Sequence, residues 1–334
     1  MSELTGVEAG QDVAANPSLS KRFIIEVKGS LNGVPLDHDR ALGFVQEYLE
    51  GVREKIRQFP SREEGLNMSR VHAYREKEGI PLKEIRFLSP EDYAQALELV
   101  DHEQRDNEFG QYLDAYDMIL VVRDPDTEAL NGGPEFTESA AVHEIGHSDE
   151  ERPIHVVVTA KSKEFGKDEV HLDIATEPSG FFADNGDDDE IGTFQEEGYA
   201  ELKRGRYIVE ELGKPDGFAG RFSPEKSLRI DKHAAWKRDD TQAIVKGTPP
   251  PAIAAVLFEL IGDHDSEFIP LLHRARHSEA ARIEFAQRMN AISPDLYEES
   301  RKIDIRIEEG YREAGALYKK VNQILKARRE SQVI

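Results

Sequence analysis

Hydrophobic residues in the first third of the chain follow spacings typical first of a strand and then of helices. Residues 23–27 predict a strand that ends at the turn signal Asn32-Gly33. Between residues 37 and 59, apolar side chains recur every three to four positions, which predicts a helix. Residues 85–88 predict a second strand, and Ser89-Pro90 is a typical start for the helix that follows.

The middle of the chain continues this mixture of strands and helices. Residues 118–122 are a continuous apolar run, which indicates a strand covered on both faces. A helix is predicted over 136–147, and Pro153 prevents its continuation. Residues 154–160 and 170–176 predict two strands of a hairpin joined through Gly166-Lys167.

The remainder of the chain is predicted to be almost wholly helical. A helix is predicted over 194–212. Thr193 and Glu196 fit a capping box at the start of this helix. Further helices are predicted over 249–261, 266–276, 278–292 and 296–329. The fold class is therefore α+β, with a small mixed sheet and a mainly helical C-terminal half. We expect a disordered tail over 1–20, an N-terminal α/β region of unknown role over 21–112, and one further domain over 113–334.

Composition narrows the possible partners and metal ligands. The formal net charge is −23, which argues against nucleic acid and against anionic membranes as partners. No long apolar segment or secretory leader is recognisable, so a cytoplasmic protein is expected. The chain has no cysteine, so a metal ion has to be held by His, Asp or Glu.

The sequence His143-Glu144-Ile145-Gly146-His147 contains the pattern H-E-x-x-H. On a helix, positions i and i+4 lie on one face, so both imidazoles can reach the same ion. Glu144 lies between them and is placed to act as general base on a water molecule. Gly146 costs about 1 kcal/mol in a helix interior, which indicates that another backbone or a substrate comes close there. The ligand types and their spacing predict a zinc site.

The third zinc ligand decides the class of site. The metzincin pattern fails, because Glu150 and Pro153 stand where it requires Gly and His. The downstream segment Glu197-Gly198-Tyr199-Ala200-Glu201 resembles the gluzincin run that carries the third ligand. This resemblance covers residues 118–275 and implies that Glu197 binds zinc and that Glu201 orients a ligand histidine. It also implies that residues 113–334 form a zinc peptidase-like catalytic domain with a helical C-terminal part. In this domain 118–122 would be the substrate-edge strand of the sheet, packed on the helix over 136–147.

The resemblance implies a zinc metallopeptidase that hydrolyses peptide bonds in a peptide or protein substrate. It also implies an oxyanion donor downstream of the third ligand, for which His233 and Tyr207 are the chosen candidates and His264 and Tyr199 the others. His155, His171 and Asp173 stay open as rival metal ligands, and the acidic segment 184–190 stays open as a calcium loop or an exposed loop. Two other functions stay open as well: a catalytically silent peptidase-like binding protein, and a regulatory protease with one specific intracellular target.

Overall fold

The computed structural model describes residues 2–5, 23–31, 34–102, 108–131, 133–149, 154–161, 169–176, 192–213, 228–229, 235–236, 250–305 and 308–332. The chain forms two compact units, each assembled from segments that are distant in sequence. Unit 1 comprises Met1–Arg62, Glu84–Val122 and Glu151–Glu177, and unit 2 comprises Glu63–Lys83, Arg123–Glu150 and Pro178–Ile334. These units differ from the predicted division at residue 113, because each of them takes segments from both sides of that boundary.

The secondary structure is mixed, which confirms the predicted α+β class. The strands are β1 (Ser2–Thr5), β2 (Phe23–Leu31), β3 (Val34–Pro35), β4 (Glu84–Leu88), β5 (Gly110–Leu113), β6 (Met118–Val122), β7 (Ile154–Lys161), β8 (Glu169–Thr176), β9 (Leu228–Arg229) and β10 (Ala235–Trp236). The helices are α1 (His38–Arg57), α2 (Met68–Lys77), α3 (Pro90–Glu98), α4 (Pro125–Asn131), α5 (Pro134–His147), α6 (Thr193–Glu210), α7 (Pro250–Gly262), α8 (Phe268–His277), α9 (Glu279–Ile292), α10 (Leu296–Arg301) and α11 (Glu308–Gln332).

Unit 1 contains two mixed sheets. The larger has the strand order β1-β8-β7-β2-β3, in which β2 and β7 are parallel and the other neighbours antiparallel. In the smaller, β6 lies between β4 and β5, parallel to β4 and antiparallel to β5. The predicted strands, the hairpin of β7 and β8 and the helices α1 and α3 are confirmed. Asp37 caps α1 by accepting a 2.8 Å hydrogen bond from Arg40 N, and Ser89 Oγ accepts from Asp92 N to cap α3.

Three expectations about the elements are wrong. The strand over 118–122 is the centre of its sheet and not an edge, since its apolar run is buried and it is paired on both sides. Residues 2–5 are not a disordered tail, because they pair with β8. The helix predicted over 296–329 is divided, because Arg301 ends α10 and α11 begins at Glu308. The turn signals Asn32-Gly33 and Gly166-Lys167 lie outside the described residues.

Unit 2 supplies the helical C-terminal half. Its core is centred on α7, whose residues 252–258 are all buried, as the near-continuous apolar sequence predicts. Aromatic and aliphatic side chains of α6, α8, α9 and α11 pack in the same cluster, including Phe194, Phe268, Phe285 and Tyr318. Within the described part of the chain, no helix combines the length and the apolar content needed to cross a lipid bilayer.

Candidate metal centre

Helix α5 places His143 and His147 one turn apart inside unit 2. The helix has Pro134 in its first turn and ends at the Ser148 cap. It is buried almost continuously from Phe136 to Gly146, so it is held by packing and not by a polar outer face. The two imidazole rings lie with their centroids 4.9 Å apart at an interplanar angle of 76°. Both rings are therefore fixed on one side of a rigid helix.

Glu197 on α6 completes a group of three possible metal ligands. Its Oε2 lies 3.2 Å from His143 Nε2, its Oε1 lies 3.5 Å from His147 Nε2, and the two Nε2 atoms are 3.2 Å apart. Two ligand atoms about 2.0–2.1 Å from a tetrahedral ion are separated by about 3.3 Å. The three separations therefore fit a single zinc-sized ion, and the three ligands leave the fourth position of a tetrahedron for water or substrate.

A second layer of carboxylates lies behind the two imidazoles. Glu201 Oε2 is 3.4 Å from His143 Nδ1, which is the contact that the resemblance implied. Glu196 Oε1 is 3.6 Å from His147 Nδ1, a contact that the sequence did not predict. A carboxylate at Nδ1 favours the tautomer that leaves Nε2 free to bind a metal. Each candidate ligand histidine therefore has its own orienting carboxylate.

The capping box predicted for Thr193 and Glu196 is wrong. Gly192, with a φ of 93°, is the N-cap residue of α6 and makes no side-chain capping bond. Because the helix starts one residue earlier than the pattern suggests, Glu196 lies within the first turn and faces the metal-ligand group. Its Oε1 accepts a hydrogen bond from Arg276 Nη2. Glu196 therefore belongs to the site.

Arg276 of α8 is a buried cation that contacts Glu196 of this site. Its side chain is fully buried, and besides Glu196 it donates a 2.6 Å hydrogen bond to the carbonyl oxygen of Gly146. Its guanidinium lies 4.4 Å from the centre of the Tyr199 ring, a cation–π distance. One side chain thus links the end of α5 to the first turn of α6. This residue is more than a hundred positions from the H-E-x-x-H motif and was not predicted.

The electrostatics favour positive charge at the ligand group. Burial alone would lower the pKa of His143, but hydrogen bonds to Glu197 and Glu201 outweigh it and raise the pKa to about 9. For His147, burial is likewise outweighed, chiefly by the charge of Glu197 and a hydrogen bond to Glu196, and the pKa rises to about 10. Burial would raise the pKa of Glu197, yet the histidines hold it well below its usual range. These carboxylates therefore stabilise a cation where the three ligand atoms meet.

Glu144 is buried in the same environment. Its charge contributes to raising the pKa of both His143 and His147, so its carboxyl group is close to the ligand atoms. Glu144 therefore adds a further negative charge beside the three candidate ligands.

Two glycines and two alanines allow α5, α6 and α7 to pack at short distance. A Cβ atom on Gly146 would lie 2.9 Å from the Cα of Ala200, so the close approach expected at Gly146 is confirmed, and the partner is the α6 backbone. A Cβ on Gly198 would lie 2.4 Å from the Cβ of Ala254 and 3.0 Å from Phe258. The small residues of the E-G-Y-A-E segment therefore set the distance at which Glu197 meets the histidines.

Gly198→Ala is expected to destabilise the protein although alanine has the higher helix propensity. The added methyl group would force α6 and α7 apart, and overpacking of this kind costs about 1–3 kcal/mol. The matched control is Gly315→Ala in α11, where a Cβ meets nothing within 4 Å and where propensity predicts a gain of up to about 1 kcal/mol. Urea unfolding of both variants measures the difference. Equal effects at the two positions would contradict the packing argument.

Other residues singled out in the sequence lie elsewhere. Tyr207 follows Glu197 by ten residues, about 15 Å along a helix axis, and its hydroxyl donates a 2.7 Å hydrogen bond to Glu138. Arg70 of α2 also donates to that hydroxyl, so Tyr207 links α2, α5 and α6 and is not placed to stabilise an oxyanion. His264 follows the end of α7 and is absent from the ligand groups found among the described residues. His233 and the acidic segment 184–190 lie outside the described residues.

The rival ligands belong to the other unit. His155 is on β7, and His171 and Asp173 are on β8, where they are paired within the larger sheet of unit 1. None of the three belongs to a metal-ligand group among the described residues. Glu197 is therefore the third ligand candidate that the geometry supports.

A second polar cluster lies beside the first and was missed. Asp149, two residues beyond His147, accepts a 2.8 Å hydrogen bond from the hydroxyl of Tyr199 and lies near His273 and His277 of α8. Burial alone would raise the pKa of Asp149, but hydrogen bonds to the two histidines and the charge of Arg276 hold it well below its usual range. The sequence signal was the His-x-x-x-His spacing of His273 and His277, which repeats that of His143 and His147.

Comparisons with protein-family models, with curated proteins and with solved structures found no match for this chain.

Proposed function

We propose that this protein is a zinc-dependent peptidase of gluzincin type that hydrolyses peptide bonds in a peptide or protein substrate. The observation that carries the proposal is the meeting of His143 Nε2, His147 Nε2 and the Glu197 carboxylate at separations of 3.2–3.5 Å. Two histidines from one helix and a glutamate from the next match the ligand set that the resemblance implied. A cytoplasmic location is part of the same proposal.

Each residue of the site has its own role in the proposed hydrolysis. His143, His147 and Glu197 would hold the ion, which would supply the Lewis acidity that lowers the pKa of water and polarises a carbonyl group. Glu144 takes a proton from the attacking water at its carboxylate and delivers it to the leaving amine nitrogen. Glu201 and Glu196 keep the Nδ1 protons of the two histidines in place, so that both Nε2 lone pairs point at the same position.

The proposal depends on metal binding, and Glu197→Ala tests it directly. Removal of a ligand is expected to weaken zinc binding by more than the roughly 100-fold that loss of an outer-shell partner can cost. After dialysis against buffer with very low free zinc, wild-type protein should retain one tightly bound equivalent and the variant should lose it. Elemental analysis measures both. Glu210→Ala is the control, because Glu210 lies on the same helix but pairs with Lys77 on an exposed surface.

Hydrolysis is tested with the zinc-loaded wild-type protein and a set of fluorogenic peptides and unfolded proteins. Cleavage that a chelator abolishes and added zinc restores is the expected result. Tightly bound zinc in Glu197→Ala would show that the third ligand is a residue other than Glu197. Stoichiometric zinc without cleavage of any peptide or protein would leave the metal site standing and contradict the peptidase activity.

A further inference from the structure

We propose that Asp149, His273 and His277 form a second binding site for a divalent transition metal, with zinc as the ion that best suits the ligands. This site is separate from the proposed catalytic centre and shares no ligand with it. It does not depend on peptidase activity. The three residues come from two places in unit 2, the turn after α5 and the last two turns of α8.

The first support is the geometry of the ligand atoms. Asp149 Oδ2 lies 3.3 Å from His273 Nδ1 and 3.7 Å from His277 Nε2. These separations lie near the roughly 3.3 Å expected between ligands of a tetrahedral zinc ion. The two rings of α8 have their centroids 5.2 Å apart at 73°, almost the same arrangement as the 4.9 Å and 76° of His143 and His147. Both pairs therefore present their rings at the spacing that one ion can bridge.

The second support is the charge around Asp149. Arg276 Nη1 lies 3.8 Å from Asp149 Oδ2. A guanidinium paired only with Asp149 would compete with a metal ion for the Asp149 carboxylate. However, Arg276 is hydrogen bonded to Glu196 and to the carbonyl oxygen of Gly146. Asp149 and Glu196 together carry two negative charges and Arg276 one positive charge. One net negative charge thus remains, which offsets half of the charge of a divalent ion.

Tyr199 fixes the carboxylate in position. Its hydroxyl donates a 2.8 Å hydrogen bond to Asp149 Oδ2 and lies 2.7 Å from His273 Nδ1. Metal binding requires His273 to carry its proton on Nε2, which leaves the Nδ1 lone pair for the ion. The tyrosine remains neutral and continues to orient Asp149, as outer-shell partners of metal-bound carboxylates do.

The third support is accessibility. Asp149 is buried, whereas the side chains of His273 and His277 are each 38% exposed. His273 also lines an open cavity of about 470 Å³ between α6, α7 and α8. A buried carboxylate with two half-exposed imidazoles allows an ion to enter from solvent. An ion bound there would fasten α8 to the end of α5, directly behind the H-E-x-x-H turn.

The test is metal stoichiometry of the full chain titrated with zinc. At saturating free zinc, wild-type protein should bind two equivalents and His273→Ala/His277→Ala one. His143→Ala should also bind one, because it retains the second site. His38→Ala controls for the loss of an imidazole, since His38 is a surface residue of unit 1, and it should bind two. Zinc binding at the second site should raise the melting temperature of wild-type protein but not that of the double variant.

The outcomes separate this site from the proposed catalytic one. A zinc stoichiometry that is the same in wild-type protein and in His273→Ala/His277→Ala would overturn the second site. Two equivalents, one of them lost in His273→Ala/His277→Ala, would support it even if no peptide is cleaved. Failure of the peptidase proposal is measured in a different experiment, the cleavage assay.

Discussion

Glu144→Gln is expected to lower the rate of peptide hydrolysis at least about 100-fold while zinc stays bound. The substitution keeps the shape of the side chain and removes the group that accepts a proton from water. The proposed metal ligands are His143, His147 and Glu197 and do not include Glu144, so their contacts at 3.2–3.5 Å should persist. Turnover of zinc-loaded protein, zinc content and melting temperature are the three measurements.

Glu135→Gln is the matched control for this experiment. Glu135 lies in the first turn of the same helix and is absent from the metal-ligand groups of the described residues. It should retain wild-type turnover. Undiminished hydrolysis by zinc-loaded Glu144→Gln would assign the proton transfer to another group. Loss of zinc together with loss of activity would show instead that Glu144 acts on the metal site itself.

The predicted site residues that the structure brings together share one property, which is that their relation is local. His143 and His147 are one helical turn apart, and so are Glu197 and Glu201, so the helix period alone places each pair on one face. Gly146 was recognised because glycine inside a helix is costly without a close neighbour. The gluzincin-like segment implied that Glu197 of α6 meets the histidines of α5, and in the structure the Glu197 carboxylate lies 3.2 Å from His143 Nε2 and 3.5 Å from His147 Nε2.

The residues that the sequence did not identify depend on tertiary contacts. Glu196 fits a capping pattern with Thr193, so the sequence assigned it to the helix cap and its contact with His147 was not predicted. Arg276 lies on α8, and no periodicity connects it with Glu196 or Gly146. The spacing of His273 and His277 was visible, but their partner Asp149 lies 124 positions before His273. The two units were missed for the same reason, because each is completed by segments far apart in the chain.

Arg276→Met is expected to destabilise unit 2 strongly. Methionine preserves part of the aliphatic volume but leaves Glu196 as a buried carboxylate without its guanidinium partner. Breaking a buried ion pair from one side costs about 3–5 kcal/mol. The loss also removes the donor to the Gly146 carbonyl oxygen. Urea unfolding should show the full decrease, whereas Arg288→Met, at a solvent-exposed pair with Asp265, should have a much smaller effect.

Zinc affinity distinguishes a positioning role of Arg276 from a purely structural one. If Arg276 holds Glu196 against His147, then Arg276→Met and Glu196→Gln should each weaken zinc binding about 10–100-fold. The double variant should lose less stability than the sum of the two single variants, because the unpaired carboxylate is then gone. Arg276→Lys should restore part of both properties, since it returns the charge but not the two-pronged geometry. Lower stability with unchanged zinc affinity in folded Arg276→Met would limit this arginine to packing and would leave the orientation of His147 to other contacts.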